Sequence, residues 1–341
     1  MKGKAKKRWF RFFSVGLAFV FCLFVVQLFL MAREHLTLNG GKENRPLSYW
    51  RHYNDSVNLA NKAYADQNPY GFTDVIRSKH KLPGVRRIAV IGDSFIWGDG
   101  LPYVKVWSHV LERKVTEHYD SMEVLSWGKN GWSTLDEFNF LKKHGVKYDL
   151  DLLIVGFVEN DPDMGRFDEF HDGRKRSMNY FFPNVGPLMP QVVHQCFSGL
   201  RSLIYGSDHT LYHRWMDSIY SEKQMADHGK MLTEFKGFCN QHEIELLFIM
   251  TPSGFNRKKK NRFTIMENVL KKNDIEVLNL MPVAEKELGD YKYEEIIASP
   301  VNGHPGEILT GFFSRQVFSY LQQTGFFDGQ NRVAEQDTGN E

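Results

Sequence analysis

Arg87-Ile88-Ala89-Val90-Ile91-Gly92-Asp93-Ser94-Phe95 is the stretch that decides the fold. Four consecutive aliphatic residues closed by a glycine suit a short strand buried on both faces, as in a parallel sheet. Similar runs follow at Met122 to Trp127, Leu152 to Phe157, Ile244 to Met250 and Ile275 to Leu280. Each is rich in Val, Ile and Leu and bounded by polar or turn residues. Val106 to Tyr119 spaces its apolar residues between Glu and Lys and reads as a helix. Thr134 to His144, Gln224 to His242 and Arg262 to Asn273 are further helix candidates, the first with Thr134 and Glu137 as a cap pair at N-cap and N3. Alternating strand and helix predicts an α/β domain with helices on both faces of a parallel sheet.

In such sheets function collects at the carboxyl ends of the strands. Those ends carry Gly92-Asp93-Ser94-Phe95, then Gly128-Lys129-Asn130-Gly131-Trp132-Ser133, then Glu159-Asn160-Asp161-Pro162 and, beyond the fifth strand, Asn302-Gly303-His304-Pro305. A hydroxyl, a flexible backbone donor, an amide side chain and an imidazole are thus expected on one edge. Acyl transfer needs this set. Serine is a weak nucleophile until a base takes its proton, and histidine is the usual base. The tetrahedral intermediate then needs donors aimed at its oxyanion. The backbone N–H groups of Ser94 and Gly131 and the side-chain amide of Asn160 are the candidates, with Ser94 and His304 as the catalytic pair and Asp93 in a supporting role. The set calls for no cofactor and no metal.

The same residues resemble a known family, the SGNH (GDSL-like) hydrolases. Gly92-Asp93-Ser94-Phe95 looks like the family's first block, and Gly131 in Asn130-Gly131-Trp132 like the second-block glycine. Gly156 to Asp161, with Asn160-Asp161, looks like the third block, and His304-Pro305 like the fifth. The resemblance runs from about Asn68 to about Leu321. It implies a three-layer α/β/α sandwich with a five-stranded, mainly parallel sheet of flavodoxin-like kind. One position departs. The family usually places Asp three residues before the histidine, and here that residue is Val301. Asn302 lacks the charge to replace it. A backbone carbonyl near residues 299 to 301, or a carboxylate from elsewhere such as an inserted segment, is expected to orient His304.

At the other end, Lys2, Lys4, Lys6, Lys7, Arg8 and Arg11 precede a run from Phe12 to Met31 without a charge. About 20 apolar residues suffice to cross a bilayer as a helix. A basic flank stays inside, so the bulk of the chain is expected outside the cytoplasm, periplasmic or extracellular. A cleaved signal peptide is the alternative. Against it, the run is long for such a segment and Leu30-Met31-Ala32-Arg33 is not a cleavage site of the A-x-A kind. The expected organisation is a basic segment over 1–11, a signal-anchor helix over 12–31 and a stalk and lead-in over 32–85. A hydrolase-like domain over 86–328 follows, with an insertion at 162–221, and then a disordered tail over 329–341.

The formal net charge of +2 gives no reason to expect nucleic acid, and without the six basic residues at the start the remainder carries about −4. Cys196 and Cys239 could pair in an oxidising compartment or stay as buried thiols. His209 and His213, at i and i+4, are a weak metal pair without an evident third ligand. Arg257 to Lys260 is a basic run that reads as a solvated loop or as a site for an anionic sugar or headgroup. Asn54-Asp55-Ser56 matches a glycosylation sequon.

Three functions remain open. The first is an esterase or O-acyltransferase working through an acyl-enzyme at Ser94, on a small-molecule or polysaccharide acyl ester of the envelope type. The second is a lipid esterase or thioesterase whose insertion lines an acyl pocket. The third is a non-catalytic binding protein of the same fold, for which Val301 is the main support.

Overall fold

The computed structural model describes residues 2–36, 45–165 and 208–330. Two compact units are distinguished. One holds the first helix, α1 (Lys2–Leu36), and most of a helix at Asp208–Ile219. The other spans Tyr49–Met164 and continues from Ser218, and it holds the sheet. Residues 166–207 of the expected insertion, 331–341 of the expected tail, and Cys196 lie outside the described residues.

After α2 (Leu47–Ala65) come β1 (Arg86–Gly92), α3 (Ser94–Trp97), α4 (Trp107–His118), β2 (Met122–Gly128), α5 (Thr134–Lys143) and β3 (Leu152–Phe157). The helix at Asp208–Ile219 is α6, followed by α7 (Glu222–Gln241), β4 (Glu245–Met250), α8 (Arg257–Lys272), β5 (Glu276–Asn279) and α9 (Met281–Leu288). The last elements are α10 (Tyr293–Ile296), β6 (Ile297–Ser299), β7 (Asn302–Pro305) and α11 (Glu307–Gln323).

All five apolar runs are strands of one sheet in the order β2-β1-β3-β4-β5, and every neighbouring pair is parallel. Alternate residues of each strand enter opposite cores. Ile88, Val90, Val124, Ile154 and Leu247 pack with α4, α9 and α11, whereas Ala89, Ile91, Leu125, Val155 and Phe248 pack with α5, α7 and α8. This is the α/β/α layering expected of strands that read apolar at every position. The strand order reverses between β1 and β3, and the crevice at such a switch point is where ligands bind in open α/β sheets.

Three glycines stand side by side across the carboxyl ends of the central strands: Gly92 is in register with both Gly128 and Gly156. The row lets α3 settle onto the sheet. A Cβ at Gly128 would lie 2.2 Å from the Trp97 nitrogen, and one at Gly92 would lie 2.5 Å from Ile96 Cγ1.

Two local expectations shift. The cap of α5 is one residue earlier than the sequence suggested: Ser133 is the N-cap and Asp136 is N3, with Ser133 N–H donating to Asp136 Oδ2 at 3.0 Å. Thr134 and Glu137 are instead fully buried, because the helix turns that face inward. The segment read as a stalk without a period folds over Leu47–Ala65 as α2, whose Asn61 is buried against the loop after α3.

α1 is 35 residues long. Side chains are described continuously from Phe13 to Phe29, and all the large apolar ones among them except the half-buried Leu23 are exposed, Phe13 at 66% and Phe29 at 67%. Among the described residues no helix is long and apolar enough to cross a membrane.

Candidate active site

Ser94 begins α3, directly after β1, and its carbonyl accepts from the N–H groups of Gly98 and Asp99 at 3.0 and 3.1 Å. Asp93 caps this turn by accepting from Phe95 N–H at 2.9 Å. His304 lies on β7, in a short antiparallel pair with β6 whose tip is the turn at Pro300 and Val301. Val301, where the resemblance expected an acid, is 36% exposed at that tip.

The sequence positions 94 and 304 meet. Ser94 Oγ lies 2.8 Å from His304 Nε2, and 3.2 Å from Asp93 Oδ2. On the other side of the ring, His304 Nδ1 lies 2.5 Å from Asn302 Oδ1. The orienting group is therefore the Asn302 side chain. Among the described residues neither a backbone carbonyl of residues 299–301 nor a distant carboxylate bonds Nδ1, where the Asn302 amide sits; most of the inserted segment lies outside them.

The amide can face only one way. Its oxygen also accepts from the His304 backbone N–H at 3.1 Å, and its Nδ2 donates to Asn54 Oδ1 at 2.7 Å and Asp99 Oδ1 at 2.8 Å. An oxygen on the Nδ2 side would face two acceptors. With Oδ1 toward the imidazole, Nδ1 carries the proton and Nε2 presents its lone pair to the Ser94 hydroxyl. That is the tautomer of a general base. Phe95 packs against the ring with its centroid 5.5 Å away.

Asn160 follows β3, and its side chain is near enough to the Asp93 carboxylate to favour that group's charged form. Gly131 has φ +79°, a left-handed conformation that favours glycine, and open space where a Cβ would stand. Its loop is tied to both neighbouring strand ends: Lys129 N–H donates to Gly92 O at 3.1 Å, and Thr134 N–H donates to Asp161 O at 3.2 Å.

Beneath this edge sits a group of buried acids, which the sequence named only separately, Glu137 as a cap residue, Asp161 as part of a block and Asp93 as a supporting group. Glu137 and Asp161 are fully buried, and both Glu137 oxygens and Asp161 Oδ1 have no hydrogen-bond partner. Burial, then the neighbouring carboxylates of Asp93 and Asp136, pushes Glu137 well above the usual range. Burial and then Glu137 and Asp93 do the same to Asp161. Burial also raises Asp93, against the bond from Phe95 N–H, the nearby His304 and the Ser94 hydroxyl.

The other sequence candidates are accounted for differently. Lys259 Nζ donates to Ser253 Oγ at 2.5 Å and lies 3.6 Å from Glu159, and Arg262 lies 3.5 Å from the same carboxylate. This part of the basic run thus braces the residue before Asn160. His209 and His213 lie on α6. Among the described residues, Asp74, His109 and Glu112 bring ligand-type atoms within 4.8 Å of one another. Arg77 pairs with both carboxylates, and His109 Nε2 bonds Thr73 O at 2.7 Å, which gives this cluster a structural role. Cys239 is a buried free thiol.

No family model matches the chain, and no curated protein matches it in sequence. Solved structures of similar trace exist. TesA is 11% identical, over 70% of this chain and 99% of that one, with a TM-score of 0.43. A lipase/acylhydrolase from Enterococcus faecalis is 12% identical, over 70% and 97%, with a TM-score of 0.43. A catalytic mutant of the acetylxylan esterase Axe2 from Geobacillus stearothermophilus is 10% identical, over 72% and 97%, also at 0.43. At such identity and overlap none of them assigns a function to this chain.

Proposed function

We propose that the chain is a serine esterase or O-acyltransferase of the SGNH type, with hydrolysis the favoured outcome. The observation that carries this reading is the line Ser94 Oγ, His304 and Asn302 Oδ1, at 2.8 and 2.5 Å. His304 Nε2 takes the Ser94 proton as Oγ attacks the acyl carbonyl. The N–H groups of Ser94 and Gly131 and the side-chain amide of Asn160 receive the oxyanion. The proton on Nε2 then passes to the leaving alkoxide, which gives an acyl-Ser94 enzyme and a free alcohol. Water, or a sugar hydroxyl, enters by the reverse sequence.

The substrate class fits a short acyl group on a polyol or polysaccharide. Lys129, Asn130 and Gly131 are exposed beside the site, a polar and open rim. The exposed apolar residues of α1 between Phe13 and Phe29, which follow six basic residues in the same helix, support anchoring in a membrane with the enzymatic domain on the outer side.

The full chain in detergent, treated with a fluorophosphonate probe, should be labelled in the wild type and not in Ser94→Ala. Equal labelling of both would reject the assignment. A panel of acetyl, butyryl and longer aryl esters should show preference for the short acyl groups. A long-chain preference would favour a lipid esterase. Reporter fusions after Gly329 that read cytoplasmic would sink the topology.

A further inference from the structure

The carboxylate missing beside His304 has a counterpart one amide away. Asp99 Oδ1 accepts from Asn302 Nδ2 at 2.8 Å, and Asn302 Oδ1 in turn holds His304 Nδ1 at 2.5 Å. Asp99 is firmly placed. Its backbone N–H donates to Ser94 O at 3.1 Å, and Asn58 Nδ2 donates to the same Asp99 oxygen at 2.8 Å. The fixing groups come from one face of α2. Asn54, Asn58 and Asn61 follow at i, i+4 and i+7 and so lie on the same side of the helix. Asn54 Oδ1 accepts from Asn302, Asn58 Oδ1 accepts from Gly100 N–H at 2.7 Å, and Asn61 Nδ2 donates to the carbonyls of Gly98 and Leu101 at 2.8 Å each. Asn302 cannot rotate without breaking bonds to two of these elements.

We propose that Asp99 is the charge partner of His304, a positioning residue that acts through the Asn302 amide and is held by the asparagine face of α2. This rests on the reading of Ser94 and His304 as nucleophile and base. The carboxylate polarises the amide it accepts from, which makes Asn302 Oδ1 a stronger acceptor for Nδ1–H. Its charge also stabilises the imidazolium formed during acylation, with no proton moving to Asp99. The site is half-buried, so water screens this field incompletely. Among the described residues, Asp93 beside Ser94 also acts on His304, and the Tyr293 hydroxyl lies beside Gly303. Asp99 is distinguished from them by its hydrogen bond to the ring's own partner.

The test uses the full chain in detergent and a short-chain aryl ester. Asp99→Asn keeps the shape and an acceptor oxygen while removing the charge. It should lower kcat about tenfold, as one screened charge is worth at this separation, and leave KM and thermal stability near wild type. The acidic limb of the pH–rate profile should move to lower pH, since the imidazolium loses a negative neighbour. The transposed pair N302D with D99N puts the charge directly on the ring and should restore kcat. Wild-type kcat and acidic limb in Asp99→Asn, or no recovery in the transposed pair, would overturn the proposal. A purely structural role would instead lower stability and leave the limb in place. Titration of the His304 ring by NMR needs no turnover. If the wild type neither turns over nor takes the probe, the enzymatic reading fails. A lower midpoint in Asp99→Asn would still support the coupling, and an unchanged midpoint would remove it.

Discussion

Gly128 at the end of β2 lies against the backbone of Trp97 in α3, so closely that a Cβ would come within 2.2 Å of the Trp97 nitrogen. Backbone cannot swing aside as a side-chain end can. Gly128→Ala should therefore lift α3 from the sheet and displace Ser94. The expected cost is about 3 kcal/mol, the upper part of the usual range for overpacking, together with slower probe labelling. Urea denaturation and labelling rates measure both. A Gly128→Ala protein with unchanged stability would contradict the seating of α3.

Gly131 is constrained for the other reason. Its φ of +79° has room for a Cβ but not the right backbone for one. Gly131→Ala should cost about 1–2 kcal/mol of local strain. Its main effect should fall on turnover, through a displaced oxyanion N–H. Asn160→Ala should lower kcat by about 10²- to 10³-fold, the usual effect of losing one oxyanion donor. If neither variant slows a reaction that Ser94→Ala abolishes, the oxyanion assignment fails.

Asn302 supplies position to His304 without supplying charge. Asn302→Ala should reduce kcat by about 10²-fold, less than the ~10⁴-fold seen when a serine protease triad loses its acid function. KM should change little, because the residue does not touch substrate. Steady-state kinetics with an acetyl ester decides it. Unchanged turnover in both Asn302→Ala and His304→Ala would leave the non-catalytic reading as the better one.

His228 makes the fold acid-sensitive. It is fully buried on α7, and neither ring nitrogen has a hydrogen-bond partner. Burial pulls its pKa down to about 4, against about 6.5 in the unfolded chain. Between those values the unfolded chain binds more protons, so stability falls as pH falls from about 6.5 toward 4. At pH 5 the loss is about 2 kcal/mol. His228→Leu should show a smaller difference in unfolding free energy between pH 5 and pH 8. An equal difference would show that the ring is not held neutral.

Glu137 should act with the opposite sign. Burial and neighbouring carboxylates raise it well above the usual range. Its contribution is fully present below the unfolded value of about 4.3 and is lost as pH rises through the folded one. Glu137→Gln removes that dependence, so its stability relative to wild type should grow from pH 5 to pH 8. A constant difference across that range would mean that the carboxylate is solvated.

The five strands, the helices between them, and the placement of Ser94 and His304 at strand ends are legible in the sequence, because they depend on local pattern. Val-Ile-Leu runs closed by glycine specify strands buried on both faces, and a parallel sheet then delivers its strand ends to one edge. The strand order is not local. It follows from packing, and it sets β1 beside both β2 and β3, so that Gly92, Gly128 and Gly156 align. Nor does sequence distance show that Asn302 Oδ1 holds the His304 ring. Two residues before His304, Asn302 could face anywhere. Asn54 and Asp99, 248 and 203 residues away, turn its amide toward the ring. The acids Glu137 and Asp161 look like surface helix and turn residues until the layers close over them and remove their water. What the sequence determined is therefore the periodic and the local. The tertiary structure alone decided the long-range hydrogen bonds and the burial that set orientation and charge.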